Sequence, residues 1–428
     1  MIDVSDQTTQ SAQELPISLH GTSKMNFWKL WSANGFSNLG DGLYQIMLPL
    51  LATRLTHSPA LVSGVSIMLS LPWLIFALQA GSIVDRHDRR KVILWVSVGR
   101  IIILSSLTVA IITQSASIPL LYAAALVLGV GETLADTALA SIVPSIVAKE
   151  RLNWANARIM AAQTVTNTFI GPPLAGYLVG ISFALASGSS AFLYLAAGGV
   201  LLLVRGVFSP AASERAQADQ HFWQHMTEGM RFLWKSPLIR GLTLFTASMN
   251  LFWAGWGAVF VLFAVKPGPM GLGEFEYGLV LTAMATGGLL GSTLCERIHK
   301  KVGTRNALTL DFVGTVLLVG VPALTTNPFA IGAAAFMAGA GASIWVILVS
   351  SIRQQLVPGD LLGRVYSASR FVSWGIGPIG AALAGLVAEI WGIRALFAAG
   401  GIISVGLTFL FLNLMSSQML EAFNKASE

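Results

Sequence analysis

Residues 81–91 read GSIVDRHDRRK and residues 291–301 read GSTLCERIHKK, so one short motif occurs once in each half of the 428-residue chain. Each copy ends an apolar run and continues into basic residues. Two further landmarks recur in the same order, Val143-Pro144 with Val357-Pro358 and Gly171-Pro172 with Gly377-Pro378. Three matched landmarks in one order predict an internal repeat of two related halves.

The composition predicts that both halves lie in a lipid bilayer. Hydrophobic residues make up 54% of the chain and charged residues 11%, and the mean hydropathy is +0.70. A soluble domain carries about 25% charged residues, so a chain this apolar needs lipid as its solvent. The net charge of +6 does not indicate a nucleic-acid partner, because the basic residues lie in short clusters between apolar runs, as membrane orientation requires.

An α-helix needs about 20 residues to cross the hydrocarbon core of a bilayer. Twelve apolar runs in the sequence are long enough to do so. In the first half they cover 28–53, 60–84, 92–114, 118–143, 155–180 and 184–207. In the second half they cover 239–265, 275–297, 306–325, 329–351, 367–390 and 394–415. We therefore predict an all-α membrane protein with twelve transmembrane helices in two pseudo-symmetric halves of six.

The placement of Lys and Arg predicts that both termini lie in the cytoplasm. With that orientation, 22 of the 26 basic residues fall in cytoplasmic segments, and only Arg54, Lys266 and Arg394 fall on the opposite side. Cytoplasmic loops carry this excess of positive charge. The predicted order is a disordered tail (1–24), the N-terminal half (25–208), a cytoplasmic linker with an amphipathic helix on the membrane surface (209–238), the C-terminal half (239–416) and a cytoplasmic tail (417–428).

The 81–91 motif resembles the signature loop between helices 2 and 3 of the major facilitator superfamily, at Gly81, Asp85, Arg86, Arg89 and Arg90. The resemblance implies two six-helix halves that rock against each other around a substrate site near the midplane. We expect Asp85, an acid among bases, to contact a facing helix only when the cytoplasmic side is closed. The neighbouring basic residues could instead simply set the topology.

A narrower resemblance concerns the drug:proton antiporter branch that contains macrolide exporters and the enterobactin exporter. It rests on the sequences at 38–41, 131–137 and 228–237. The Gly171-Pro172 element of helix 5 resembles a helix-bend motif associated with antiporters of the superfamily as a whole. The matching pair Gly377-Pro378 is expected to bend helix 11. The chain departs from many of these proteins in having no Arg within helix 4.

Four charged residues fall inside predicted spans: Asp41 in helix 1, Arg100 in helix 3, and Glu132 and Asp136 in helix 4. A charge at the bilayer centre costs roughly 2.5–3.5 kcal/mol, so each residue is a functional candidate. In superfamily geometry, helices 1 and 4 line the central cavity. We predict that one of the acids carries a proton. The alternative is structural, with Arg100 paired to Glu132 or Asp136 and Asp41 in a helix-packing hydrogen bond.

Other polar and aromatic residues within the spans are weaker candidates. Gln163 and Asn167 precede the bend in helix 5, and Asn250 and Trp253 lie in helix 7. These residues could contact an amphiphilic substrate, but such side chains also bond or pack between helices. Asp311, at the start of helix 9, is expected to be an interfacial residue outside the hydrocarbon.

Together these features predict a proton-coupled exporter of amphiphilic small molecules, of the drug, macrolide or siderophore type, acting as a monomer in the bacterial inner membrane. The alternatives are a metabolite importer or uniporter on the same fold, and a lipid-handling protein without proton coupling. The sequence contains no P-loop and no hydrolase motif, so neither an enzyme nor a cofactor is predicted. His221 and His225 lack an adjacent Glu and a third ligand, so no metal site is predicted.

Overall fold

The computed structural model describes residues 19–206, 208–209, 227–358 and 361–415, and these are almost entirely α-helical, with no β-strand among them. In the N-terminal half the helices are α1 (Leu19–Leu55), α2 (Pro59–Ile75), α3 (Ala77–Arg86), α4 (Arg89–Ile112), α5 (Ile118–Ile146), α6 (Leu152–Gln163), α7 (Gly171–Ile181) and α8 (Phe183–Leu202). A π-helical segment, Thr164–Ile170, joins α6 to α7. Helix α1 therefore begins inside the predicted tail, whose residues 1–18 lie outside the described part.

The C-terminal half is preceded by a short helix, α9, over residues 227–235. It contains α10 (Pro237–Ala264), α11 (Glu274–Leu324), α12 (Pro328–Leu356), α13 (Leu362–Gly375), α14 (Gly377–Trp391) and α15 (Ile393–Leu414). The predicted tail over 417–428 and the start of the predicted linker helix lie outside the described residues.

Local sequence explains where several helices begin and bend. Ser58 caps α2 by accepting a hydrogen bond from the Leu61 amide, and Pro59 occupies the first turn, where its missing N–H costs nothing. The π-helical segment ends at Gly171-Pro172, and α13 gives way to α14 at Ile376, just before Pro378. Proline cannot donate to the preceding turn, so each Gly-Pro pair marks an irregular point in its helix.

Eight helices among the described residues are long and apolar enough to cross a membrane, or nine if the bent pair α2 and α3 forms one span. Helix α11 has 51 residues and breaks at Gly303, whose φ of 78° is left-handed. At 1.5 Å per residue it would extend about 77 Å, more than twice the roughly 30 Å of hydrocarbon. Helix α1 and the segment from α6 to α7 are not among the eight, so the number twelve stays a prediction.

The two halves meet through α2 against α14 and through α7 against α11. Within the N-terminal half, α8 packs against α1 and α4; within the C-terminal half, α11 packs against α12 and α15. One buried apolar cluster includes residues of both halves, among them Tyr44, Leu128 and Phe260.

Helix α9 packs on protein through one face, and its predicted place on the membrane surface stays a prediction. Leu233 is fully buried with Ile239 and Val365, and Glu228 forms an ion pair with Arg364 of α13. The apolar face of α9 thus covers apolar side chains at the end of the C-terminal half.

Candidate functional site: a buried charge cluster beside a cavity between the halves

A buried ion pair joins α1 to α4. The guanidinium Nη1 of Arg100 lies 3.3 Å from Oδ1 of Asp41, and the two side chains are 2% and 7% exposed. The hydroxyl of Tyr194 donates a 2.7 Å hydrogen bond to the same carboxylate oxygen. The predicted pairing of Arg100 with Glu132 or Asp136 is therefore wrong, because Asp41 is the acid within reach.

Arg100 is held by more than its carboxylate partner. Its Nη1 also donates to the Ser37 hydroxyl over 3.3 Å, and its guanidinium carbon lies 4.8 Å from the centre of the Tyr194 ring. Its Nε and Nη2 have no hydrogen-bond partner among the described residues. A buried arginine with incomplete hydrogen bonding depends strongly on its one carboxylate.

Glu132 lies apart from this ion pair and has different hydrogen-bond partners. Its Oε2 accepts a 3.0 Å hydrogen bond from the Tyr44 hydroxyl, and its Oε1 lies 3.4 Å from the amide nitrogen of Gln45. Asp41, Tyr44 and Gln45 are close in sequence on one stretch of α1, so this helix connects the ion pair to Glu132. No salt bridge to Glu132 is present among the described residues, which leaves this acid without a cation of its own.

Asp136 lies one helical turn beyond Glu132 but opens into a separate small space. This space has a volume of about 30 Å³, and its polar lining includes Asn34, Asn38, Ser97 and Arg100. A cavity of that size holds at most a water or two. Asp136 is half-buried, and the geometry separates it from the larger cavity that Glu132 reaches.

The larger cavity lies between the two halves and has a volume of about 440 Å³. Glu132 and Gln45 line it from the N-terminal half, and Trp253, Trp256 and Tyr277 line it from the C-terminal half. Ligand pockets of roughly 300–1,000 Å³ with mostly apolar walls and a few polar groups bind drug-sized molecules. This cavity has that character, with one carboxyl group among aromatic and aliphatic side chains.

The halves are joined at the end of the molecule opposite to the 81–91 loop. There the Arg54 guanidinium lies 2.7 Å from Glu274, and Glu389 accepts hydrogen bonds from the Ser58 hydroxyl (2.6 Å) and the Ala60 amide (3.2 Å). Each contact connects one half to the other. We call this set of contacts the distal latch.

Two glycines allow the backbones of α7 and α11 to touch beside the distal latch. A Cβ added to Gly278 would lie 2.5 Å from the Pro172 carbonyl oxygen, and one added to Gly176 would lie 2.8 Å from the Cα of Phe275. Neither position can hold a side chain while the latch is closed. The same face of α7 carries open space at Gly180.

We expect Gly176→Ala to open the latched end, because overpacking costs about 1–3 kcal/mol in the closed state alone. A change of that size shifts the ratio of closed to open molecules roughly fivefold or more. The distance between spin labels on cysteines at His57 and Arg394, in a Cys295→Ser background, measures the shift. Gly180→Ala is the matched control, and equal distances in the two variants would contradict the assignment.

The weaker candidates from the sequence divide into cavity and packing residues. Trp253 lines the cavity and donates from Nε1 to the Thr315 hydroxyl over 3.1 Å. Asn250 donates to the backbone oxygen of Ser373 (2.7 Å), a bond between α10 and α13. Gln163 and Asn167 are half-buried near the π-helical segment and do not line the larger cavity.

The residues of the 81–91 motif differ in their contacts and in their exposure. Arg90 donates to the carbonyl oxygens of Leu201 and Leu202 at the C-terminal end of α8. A cation at this position stabilises the helix, because the C-terminal end of a helix carries partial negative charge. A Cβ at Gly81 would meet nothing within 4 Å, so no other helix packs closely against this glycine in the structure. Asp85 and Arg89 are half-buried and Arg86 is exposed.

Asp311 is not an interfacial residue, and the expectation from the sequence is wrong. It is 3% exposed, and its Oδ1 has no hydrogen-bond partner among the described residues. It lies against Gly341 of α12 and next to the aromatic contact between Phe312 and Trp345. The position along the helix indicated depth, whereas the direction of the side chain determined burial.

Sequence reasoning missed Tyr44, Tyr194 and Gln45. Tyr44 and Tyr194 are fully buried and each bonds one of the acids. A usable signal for Tyr44 and Gln45 was their spacing from Asp41, three and four residues along one helix, which places them on the same face. Tyr194 offered no signal, because it is one of several hydroxyl-bearing residues in an apolar span.

Comparison with known proteins agrees with this architecture. A profile of the Major Facilitator Superfamily matches residues 30–379. The enterobactin exporter EntS of Shigella boydii serotype 4 is 27% identical over 398 residues, covering 90% of this chain and 91% of the relative. The enterobactin exporter EntS of Citrobacter koseri shows the same identity and coverage.

Solved structures share the fold at low sequence identity. The crystal structure of the nucleoside transporter NupG superposes with a TM-score of 0.71 and 15% identity, covering 92% of this chain and 99% of that one. A bacterial homologue of the iron transporter ferroportin, crystallised in an inward-facing state, superposes with a TM-score of 0.70 and 17% identity, covering 92% and 99%.

Proposed function

Because this chain belongs to the Major Facilitator Superfamily, we propose that it is a proton-coupled exporter of amphiphilic small molecules of the drug, macrolide or siderophore type. It is a multi-pass membrane protein and a secondary transporter, not an enzyme. The names of its relatives support the direction and the substrate class, since they are exporters of the siderophore enterobactin.

The observation that carries the proposal is the position of Glu132. Its carboxyl group lines the cavity between the halves and accepts a hydrogen bond from the Tyr44 hydroxyl. Glu132 has no salt bridge among the described residues, whereas Asp41 is neutralised by Arg100. A carboxylate without a cation in a poorly solvated site is costly, so it favours binding a proton. Glu132 is therefore the acid best placed to exchange a proton for a substrate.

The distal latch gives the proposed cycle its direction. With the latch closed, substrate enters the cavity from the basic, cytoplasmic end and displaces the proton from Glu132. The latch then opens, the substrate leaves on the far side of the inner membrane, and Glu132 takes up a proton there. In this cycle Trp253, Trp256 and Tyr277 supply an apolar wall that tolerates several amphiphiles. Both termini lie in the cytoplasm, and the protein carries out this cycle as a monomer.

The proposal is tested by uptake into inverted membrane vesicles energised by a pH gradient. Ethidium, erythromycin and enterobactin serve as probes, and vesicles without the protein are the control. Uptake of at least one probe that collapses with a protonophore would support proton-coupled export. Uptake that is independent of the gradient would favour a uniporter. If no probe is taken up, the proposed substrate class is contradicted.

A further inference from the structure

The hydroxyl of Tyr277 is a polar group of the larger cavity that the proton exchange at Glu132 does not use. Tyr277 lines this cavity from the C-terminal half, and the residue is 4% exposed. Its hydroxyl has no hydrogen-bond partner among the described residues, and it is not one of the unpartnered polar atoms that the protein encloses completely. The oxygen therefore faces the open space of the cavity, where a bound molecule can reach it.

Packing fixes the ring of Tyr277 in the wall of the cavity. The centres of the Tyr277 and Phe260 rings are 6.0 Å apart, and Phe260 in turn stacks on Trp256 at 4.1 Å. Phe260 is fully buried, so the ring is held by the core of the C-terminal half. The indole N–H of Trp253, by contrast, already donates to Thr315. Tyr277 thus presents a free hydroxyl in a fixed position, which lowers the entropic cost of binding a ligand.

A buried hydroxyl without a partner favours a ligand that supplies one. Leaving a buried donor unsatisfied costs free energy, and a molecule that displaces solvent from the hydroxyl must replace the lost hydrogen bond. A phenolic hydroxyl carries one O–H donor, and its oxygen shares lone-pair density with the ring, so donation is its stronger interaction. The group that fits Tyr277 is therefore a hydrogen-bond acceptor, such as the carbonyl oxygen of an ester or an amide.

Tyr277 also belongs to the first turn of α11, which carries contacts between the halves. Glu274, three residues earlier, pairs with Arg54 of α1 in the distal latch. Gly278, the next residue, packs on the Pro172 carbonyl of α7. Opening the latch separates this turn from α1 and α7, so it carries the Tyr277 hydroxyl away from the cavity wall that the N-terminal half forms.

We propose that Tyr277 binds the substrate, and that its hydroxyl donates a hydrogen bond to a carbonyl oxygen of an amphiphile in the cavity while the distal latch is closed. The contact is lost when the latch opens, so the affinity falls and the substrate leaves on the far side. A ligand that gains a contact in one state shifts the population toward that state. This inference rests on the export function proposed above and adds a substrate class, amphiphiles that carry an ester or amide carbonyl.

Equilibrium binding to the purified full chain in detergent tests the donor role of Tyr277. The probes are radiolabelled erythromycin, which has an ester carbonyl, and ethidium, which has no carbonyl group. Tyr277→Phe removes a hydroxyl that has no partner among the described residues, so the fold should be kept. We expect this change to weaken erythromycin binding about fivefold, the effect of one neutral hydrogen bond, and to leave ethidium binding unchanged. Tyr177→Phe is the matched control, since Tyr177 is 58% exposed and does not line the cavity.

Spin labels on cysteines at His57 and Arg394, in a Cys295→Ser background, test the connection between Tyr277 and the latch. Erythromycin should increase the fraction of molecules with the latch closed, because its bond to the Tyr277 hydroxyl forms only in that state. In Tyr277→Phe the increase should be smaller. An equal effect of erythromycin on the two proteins would overturn the connection to the latch.

Equal erythromycin affinity in Tyr277→Phe and the wild type would overturn the proposal. So would an equal loss of ethidium binding, which would indicate a changed cavity shape. Either result leaves the proposed export function standing, because binding is measured without a gradient. Uptake into vesicles that does not depend on the gradient would contradict proton coupling and leave the Tyr277 contact in place. Failure of the wild type to bind either probe would contradict the substrate class and this inference together.

Discussion

Glu132→Gln is expected to lower transport driven by a pH gradient by about a hundredfold or more, the size of effect that a lost proton-transfer group produces. Glutamine keeps the shape of the side chain and can accept from the Tyr44 hydroxyl, but it cannot bind and release a proton. Substrate should still enter the cavity, because the aromatic wall is unchanged. Counterflow of labelled substrate without a gradient should therefore remain.

The measurement uses proteoliposomes, with gradient-driven uptake and counterflow recorded on the same preparation. Asp136→Asn is the matched control, one turn further along α5 and outside the larger cavity. It should retain most of the gradient-driven transport. Retained transport in Glu132→Gln, or loss in Asp136→Asn alone, would move the proton site to Asp136.

Asp41→Asn should be among the most destabilising single changes in the chain. It leaves the Arg100 guanidinium buried with no carboxylate, and breaking a buried pair by removing one partner costs about 3–5 kcal/mol. Thermal unfolding of the purified protein in detergent measures the change. The double variant Asp41→Asn with Arg100→Gln removes both charges and should recover a large part of the lost stability.

The distal latch provides the control for this second prediction. Arg54 is 56% exposed in its pair with Glu274, and exposed pairs contribute about 0–1 kcal/mol. Glu274→Gln should therefore change the unfolding temperature little. If Asp41→Asn lowers the unfolding temperature no more than Glu274→Gln does, the buried pair does not hold α1 to α4 as described.

The sequence alone located the charged cluster because charge inside an apolar run is visible without a structure. The depth of Asp41, Arg100, Glu132 and Asp136 followed from counting residues along each helix. Their pairing did not follow, since the partner of Arg100 depends on how α1 and α4 are rotated against each other. Rotation is set by packing around residues such as Tyr194, which no local pattern marks.

The same distinction applies to Asp311 and to α9. Asp311 was placed by its distance from the end of its span, whereas α12 packs over it through Gly341 and buries it. The amphipathic pattern of α9 indicated an apolar face, and residues of α13 are among the partners of that face. In both cases the pattern identified a property of one helix, and a second helix determined its role.

The most direct test of proton-coupled export is proton release on substrate binding, followed with a pH indicator in weakly buffered detergent solution. Ethidium, with binding monitored by its own fluorescence, should release protons from the wild type in proportion to the amount bound and release none from Glu132→Gln. Binding to the wild type without proton release, or equal release from both proteins, would contradict the exchange of substrate for a proton at Glu132.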